Sequence, residues 1–189
     1  DVKNPKNATE TLHILSLSSL VGVKRVHLIA QAMPSISRKI RWTHIGDGPE
    51  RNNILSYLTN LPPHVEVEFL GNLPHPSVLQ YMKTEPVDLM LNTSSSEGVP
   101  VSIMEAYSHG IPVVATDVGG NSEIVLNEHI IPSDSTSEDI ARIINEWSGD
   151  SQTREKVNII QSEHFDSTKN AQTFISIIDE ITNEIGKVS

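Results

Sequence analysis

The sequence predicts a doubly wound α/β domain, in which one parallel sheet of about six strands carries helices on both faces. Short apolar runs alternate with longer amphipathic stretches, which is typical of strands buried between two layers of helices. The chain has 189 residues, 37% of them hydrophobic, which suits one domain with a core of ordinary size. It contains no cysteine, so disulfides, thiolate zinc sites and a cysteine nucleophile are excluded.

The first half of the chain contains three predicted strand–helix units. The apolar runs predicted as strands are 12–17, 40–45 and 65–70. Each is followed by apolar residues at helical spacing, at 26–33, 54–58 and 78–82. In the second unit, Gly46-Asp47-Gly48-Pro49 marks the turn, and we expect Ile54, Leu55 and Leu58 on one buried helix face.

The second half continues the alternation and then becomes helical. Predicted strands are 87–91, 111–115 and, as a sixth, 128–131. A helix is predicted over 101–108, and helical patterns run from residue 136 to the end with breaks near 148–151 and 164–166. The segment 168–186 is predicted to be a long amphipathic helix.

Parallel sheets of this class bind ligands outside the carboxyl ends of their strands, where the strand order reverses. The candidate binding loops are therefore the segments that follow the predicted strands, 16–24, 46–49, 71–76, 92–101 and 116–121.

The formal net charge is −10, and most of the excess acid lies in the last third of the chain. Such a chain is not expected to bind nucleic acid through bulk electrostatics, although a few placed donors can still hold a small anion. No apolar run approaches the length of a membrane helix, and no signal peptide opens the sequence. We therefore predict a cytoplasmic protein. Any peripheral contact with the inner face of the membrane is expected to be made by the missing half of a longer parent enzyme.

The segment 94–106 carries the chemistry of most interest. Glu97 and Glu105 are eight residues apart, and the backbone from Gly98 to Ser102 forms the predicted start of a helix, where free N–H groups favour an anion. This arrangement suits a phosphate held between two carboxylates that accept hydrogen bonds from diols. The alternative, two exposed acids among 24, stays equally open on the spacing alone.

The surrounding sequence carries a family resemblance. SSEGVPVSIMEAY at 95–107 and HGIPVVATDVGGNSEIV at 109–125 closely resemble the signature of retaining glycosyltransferases of family four. The resemblance extends to LVGVKRV at 20–26, IGDGP at 45–49 and FLGNL at 69–73. It implies that residues 1–189 form the Rossmann-like, donor-binding C-terminal half of a two-domain GT-B enzyme, whose N-terminal acceptor half is absent from this chain.

The resemblance also implies roles for individual residues. Glu97 and Lys24 would be the catalytic pair, with Glu97 contacting the donor sugar and Lys24 neutralising the departing diphosphate. Glu105 would bind the ribose diol, and Leu73 would lie beside the nucleobase. The sugar and diphosphate would be met by the backbone at Gly98, Val99, Val101 and Ser102.

Three positions depart from the family pattern. Ser19 stands where an Arg is common, which removes one cation from the donor site, and Arg25 stands where Gly is common. Pro100 also replaces a Gly and removes one backbone donor, although Pro favours the first turn of a helix. Arg25 is a weak candidate to replace the missing charge, because neighbouring residues on a helix face different ways.

Two glycine turns complete the predicted donor-binding set, Gly46 and Gly120. Gly46-Asp47-Gly48 lacks the third glycine of a dinucleotide fingerprint, so a tight turn explains it better and a nicotinamide dehydrogenase is disfavoured. Gly119-Gly120 is explained equally well by a bare turn and by close approach to a phosphate.

The implied reaction is transfer of a hexose-type sugar from a nucleoside diphosphate to a hydroxyl acceptor with retention, in the synthesis of cell-surface polysaccharide or glycoconjugates. The family uses no metal or other cofactor, and the closest histidine pairs, His64/His75 and His13/His27, lack ligand spacing. The isolated chain is expected to bind donor weakly and to transfer nothing. The alternatives are a GT-B nucleotide-sugar epimerase and a non-catalytic module that binds nucleotide or a partner protein.

Overall fold

Six parallel strands form one sheet in the computed structural model of the chain, which describes residues 11–98, 100–149 and 151–164. The strands are β1 Leu12–Leu17, β2 Ile40–Ile45, β3 Val65–Gly71, β4 Leu89–Asn92, β5 Val113–Thr116 and β6 Ile130–Ile131. Their order across the sheet is β3-β2-β1-β4-β5-β6, and every pairing is parallel. The order reverses between β1 and β4, so the crevice for a ligand is expected at their carboxyl ends.

Helices cover both faces of this sheet. They are α1 Val26–Ala32, α2 Arg51–Ser56, α3 His75–Thr84, α4 Val101–Ser108, α5 Asn121–Ile124, α6 Ser137–Glu146 and α7 Ser151–His164. Short 3₁₀ turns span Gly22–Lys24, Met33–Ser35 and Asn127–His129. Helices α1, α2 and α6 pack on one face, and α3, α4 and α7 on the other.

Alternate residues of each strand point into two separate cores. In β1, Ile14 belongs to the core under α1 and α6, whereas Leu15 belongs to the core under α3 and α4, and both are fully buried. This two-sided burial explains why the strands are nearly continuous apolar runs in the sequence. The predicted doubly wound architecture is confirmed.

Three strands start later than the sequence predicted, because their first N–H groups are used elsewhere. The N–H of Val87 donates to Glu85, and that of Ile111 closes the end of α4 by donating to Ala106. His129 donates to Leu126 within a 3₁₀ turn, which reduces β6 to two residues. Leu55 was predicted on the buried face of α2 but is exposed there, while Ile54 is buried.

The end of the chain is described only in part. Helix α6 begins with a capping box, in which Thr136 and Asp139 exchange side-chain to backbone hydrogen bonds. Val99 and the predicted helix 168–186 lie outside the described residues. None of the described helices is both long and apolar enough to cross a membrane.

Candidate functional site

Two loops meet at the point where the strand order reverses. The β1–α1 loop and the β4–α4 loop are joined by a hydrogen bond from the Ser95 amide to the carbonyl of Val23, at 2.8 Å. The Thr93 hydroxyl lies 3.2 Å from the carbonyl of Lys24 and 3.1 Å from that of Arg25. These contacts hold the two loops in a fixed register at the binding edge of the sheet.

Lys24 and Glu97, the predicted catalytic pair, are in direct contact. Lys24 Nζ lies 2.8 Å from both carboxylate oxygens of Glu97, and the Glu97 side chain is only 9% exposed. Oε1 of Glu97 also accepts hydrogen bonds from the Ser94 hydroxyl at 2.6 Å and the Asn92 amide at 3.1 Å. Two residues separated by 73 positions in the sequence are thus brought together at the centre of the crevice.

The environment of Glu97 keeps it ionised. Burial alone would raise the pKa of this carboxyl, but hydrogen bonds from Lys24, Ser94 and Asn92 outweigh burial and hold the pKa below its ordinary value. The site therefore presents a charged carboxylate and a charged ammonium side by side. The first suits sugar hydroxyls and the second suits a phosphate.

Arg25, the possible substitute for the cation that the resemblance implies at position 19, contacts the β4–α4 loop. It has a left-handed backbone, with φ of 46°, and its guanidinium donates to the carbonyls of Thr93 at 2.8 Å and Ser94 at 3.3 Å. Its pKa is lowered, first by burial. The left-handed conformation explains why Gly is suited to this position. It also turns Arg25 toward the same loop as Lys24, which an unbroken helix would not do.

Helix α4 begins beside Glu97 with two backbone donors that precede its first internal hydrogen bond. Ile103 donates to Pro100 at 3.0 Å, which leaves the N–H groups of Val101 and Ser102 at the positive end of the helix. Among the described residues no side chain caps this end, and Val101 is 56% exposed. Pro100 is the residue that precedes the helix, so its missing N–H interrupts no helical bond.

Glu105 lies one turn further along α4 and contacts His75, which the sequence had offered only as an unsuitable metal ligand. His75 Nε2 is 2.5 Å from Glu105 Oε1. Leu73, two residues before His75, is half-buried against the second core. The β3–α3 loop and α4 therefore form adjoining walls.

The two predicted glycine positions support the loops through backbone contacts. A Cβ on Gly119 would lie 2.0 Å from the carbonyl oxygen of Glu97, and the N–H of Gly120 donates to Gly98 at 3.4 Å. A Cβ on Gly46 would lie 1.9 Å from the carbonyl oxygen of Ser18. Gly46 therefore acts as a close-packed turn behind the β1–α1 loop, as its weak motif indicated.

A buried histidine fixes the carboxyl end of β1. His44 Nε2 lies 3.1 Å from the carbonyl oxygen of Ser18, so this nitrogen carries the proton, and Nδ1 lies 2.8 Å from the Ser16 hydroxyl. Ser16 in turn accepts from the Trp42 indole at 2.9 Å. Burial lowers the pKa of His44 to about 4, so it is neutral at pH 7 and serves as a support of the site.

The structure thus groups Lys24, Glu97, Gly98 and the start of α4, and sets Glu105 with His75 on a neighbouring wall. Ser19 is exposed and adds no charge. Sequence reasoning missed Asn92 and His75, and it named Ser94 and Arg25 without predicting that Ser94 donates to Glu97 or that Arg25 binds the β4–α4 loop. Polar residues directly after a strand were the available signal for Asn92 and Ser94. Within the ranges that the structure describes, no cluster of three or more His, Asp or Glu side chains suits a metal.

The sequence profile described as glycosyl transferases group 1 matches residues 1–164 of the chain. The chain belongs to that family. No curated protein sequence matches this group 1 glycosyltransferase chain.

Several solved structures are similar to it. HepE of Anabaena, in complex with UDP and glucose, is 23% identical over 90% of this chain and 48% of its own, with a TM-score of 0.72. The apo lipopolysaccharide outer core galactosyltransferase WaaB is 21% identical over 94% of this chain and 52% of its own, with a TM-score of 0.71. The catalytic domain of the cholesterol-α-glucosyltransferase from Helicobacter pylori is 18% identical over 80% of this chain and 96% of its own, with a TM-score of 0.65.

At these identities the likeness shows the fold, a Rossmann-like α/β domain that matches GT-B glycosyltransferases. The group 1 chain spans about half the length of the HepE and WaaB chains that it matches.

Proposed function

We propose that this chain is the donor-binding domain of a retaining, metal-independent glycosyltransferase of family four. In this proposal it binds a nucleoside diphosphate sugar for transfer of a hexose-type residue to a hydroxyl acceptor, in the synthesis of surface polysaccharide or glycoconjugates. The observation that carries the proposal is the contact between Lys24 and Glu97 beside the start of α4, where the strand order reverses.

Each element of this site corresponds to one part of such a donor. Lys24 and the N–H groups of Val101 and Ser102 would stabilise the negative charge that develops on the diphosphate as the glycosidic bond breaks. Glu97 would orient the sugar through its hydroxyls, and Glu105 would accept hydrogen bonds from the ribose. Retention is implied by the family resemblance, and the solved relative in complex with UDP and glucose supports a nucleotide sugar as ligand.

Lys24 has to change partner when the donor binds. In the structure it neutralises Glu97, whereas in the proposed complex its ammonium would contact the diphosphate while sugar hydroxyls donate to the Glu97 carboxylate. Lys24 would exchange one anion for another, and Glu97 would keep the hydrogen bonds from Ser94 and Asn92 while sugar hydroxyls replace the ammonium, so neither residue is left buried without a partner.

The test is calorimetric titration of the 189-residue chain with UDP, GDP and ADP, each free and as its glucose conjugate. Lys24→Ala should weaken binding of the preferred nucleotide by about 1–3 kcal/mol, the range for hydrogen bonds to charged groups. Glu97→Ala should weaken binding of the sugar conjugate but not of the free nucleotide, which has no sugar for Glu97 to contact and meets a Lys24 that is no longer paired with Glu97. Lys83→Ala, which removes an exposed ammonium from α3, is the matched control.

Two results would contradict the proposal. One is wild-type affinity in the Lys24 variant, and the other is equal loss of sugar conjugate and free nucleotide in the Glu97 variant. We also propose that the chain alone transfers no sugar to an acceptor, because acceptor contacts in the GT-B class come from the other half of the enzyme, and the chain spans about half of the HepE and WaaB chains.

A further inference from the structure

The contact between His75 and Glu105 joins two walls of the crevice that belong to different strand–helix units. His75 is the first residue of α3 and follows the loop that carries Leu73, whereas Glu105 belongs to α4. The two side chains are separated by 30 positions in sequence, and His75 Nε2 lies 2.5 Å from Glu105 Oε1. Through this contact the first residue of α3 touches a side chain of α4 that the proposed function assigns to the ligand.

The chemistry of the contact determines which atom donates. A carboxylate at neutral pH only accepts hydrogen bonds, so His75 Nε2 carries the proton and donates it to Oε1, whichever charge the ring has. The Glu105 side chain is 17% exposed and that of His75 is 66% exposed, so the histidine is the outer member of the pair. The contact restricts the Glu105 side chain and commits one of its two oxygens.

We propose that His75 is a positioning residue for recognition of the ribose, which rests on the proposed function because it requires Glu105 to contact the nucleoside. His75 holds Glu105 so that its second oxygen, Oε2, accepts hydrogen bonds from the ribose hydroxyls. A glutamate that is ordered in advance loses less conformational freedom when ligand binds than one that rotates freely. His75 therefore increases the preference for ribose over deoxyribose and leaves affinity for the diphosphate unchanged.

The experiment compares UDP, GDP and ADP with their 2′-deoxy analogues by calorimetry, using the 189-residue chain. The wild type should prefer the ribonucleotide of the base that it binds by about tenfold, as expected for a hydrogen bond to a charged acceptor. Glu105→Ala should abolish this preference. His75→Ala should reduce it by roughly threefold, the order of the cost of immobilising one side chain when ligand binds.

His75→Gln provides the rescue, because its amide N–H can also donate to a carboxylate, and it should restore most of the preference. Asn72→Ala, at an exposed position in the same loop, is the matched control and should leave the preference unchanged. Inorganic pyrophosphate is titrated into every variant, since a role in folding alone would lower its affinity as much as that of the nucleotide.

The outcomes separate this proposal from the one on which it rests. If His75→Ala keeps the full preference for ribonucleotide over deoxynucleotide, or loses affinity for pyrophosphate and nucleotide equally, the role of His75 is wrong. The proposed donor site is not affected by either result. Absence of binding by all three nucleotides, or a preference that survives Glu105→Ala, overturns the assignment of the nucleoside site and the role of His75 with it.

Discussion

At Glu97, burial and hydrogen bonding act on the pKa in opposite directions, and hydrogen bonding is the stronger effect. The carboxylate is 9% exposed and accepts from an ammonium, a hydroxyl and an amide. Burial without such donors would raise the pKa of this carboxyl and favour its neutral form, which does not attract Lys24. The charge of Glu97 thus depends on hydrogen bonds from Lys24, Ser94 and Asn92, and the sequence did not predict the last two.

This balance predicts how stability depends on pH. Because the folded-state pKa of Glu97 lies below its unfolded value of about 4.3, the stabilisation is fully present above that value and is lost as the pH falls through the folded pKa. Glu97→Gln should therefore lower the free energy of unfolding by about 1–3 kcal/mol at pH 7, the cost of losing charged hydrogen bonds, and by much less near pH 3. Urea unfolding at both pH values measures the difference.

The comparison of variants also removes the contribution of His44. Its pKa of about 4 lies below the unfolded value, so it too destabilises the fold as the pH falls, but equally in wild type and variant. Glu66→Gln, at an exposed position on β3, is the control and should change stability little at either pH. If Glu97→Gln lowered the free energy of unfolding by the same amount at pH 3 and pH 7, the charge of the carboxylate would contribute nothing to stability.

At the scale of elements, the loops of the site are held in place by the backbone of neighbouring loops. Gly119 precedes α5 with φ of 53°, and its Cα packs against the carbonyl of Glu97, while Gly46 packs in the same way against Ser18. These two glycines support the β4–α4 and β1–α1 loops from behind. Their contribution to the site is steric, because no side chain would fit between the backbones.

Gly119→Ala should consequently disturb both stability and donor binding. The added Cβ would lie 2.0 Å from the carbonyl oxygen of Glu97, which adds overpacking of about 1–3 kcal/mol to the left-handed strain of about 1–2 kcal/mol. Gly71→Ala is the matched control, since Gly71 has φ of 69° but open space around its Cβ position. Urea unfolding and titration with the preferred nucleotide sugar should show a loss of affinity in the Gly119 variant alone. Equal behaviour of the two variants would contradict the supporting role of Gly119.

Elements were predictable from sequence where local signals agree. Helix α4 was predicted at Val101–Ser108 as observed, because Pro100 sets its start and the turn at Gly110 follows its end. Strand β6 was overestimated, because the residues before Ile130 form a 3₁₀ turn whose hydrogen bonds compete with the sheet. Arg25 was expected in a regular helix, and only the structure shows its left-handed backbone.

At the scale of the whole molecule, a net charge of −10 makes the chain a poor binder of anions in general. A diphosphate can bind only where local donors outweigh that field, and Lys24 with the first turn of α4 provides such a place. In the proposed function, the same arrangement would supply the charge neutralisation that a divalent cation supplies in other enzymes.

We therefore predict that removal of divalent cations leaves donor binding unchanged. Titrations of the preferred nucleotide sugar in EDTA and in millimolar MgCl₂ should give dissociation constants within about twofold of each other. This is far less than the tenfold change that corresponds to about 1.4 kcal/mol of binding free energy. Lys24→Ala should bind weakly in both conditions. An affinity that falls more than tenfold in EDTA would show that a metal bridges the diphosphate and would contradict the metal-independent proposal.

The sequence by itself determined the succession of strands and helices along the chain and the burial of the sheet on both faces. It also determined the segments that carry Lys24, Glu97 and Glu105. These features follow from local periodicity and motifs, which are properties of neighbouring residues. The tertiary structure decided that Arg25 holds the β4–α4 loop, that Asn92 and Ser94 donate to Glu97, and that His75 contacts Glu105. These contacts depend on the direction of each side chain after the chain has turned, and a single left-handed residue or a late strand start changes that direction without leaving a periodic trace in the sequence.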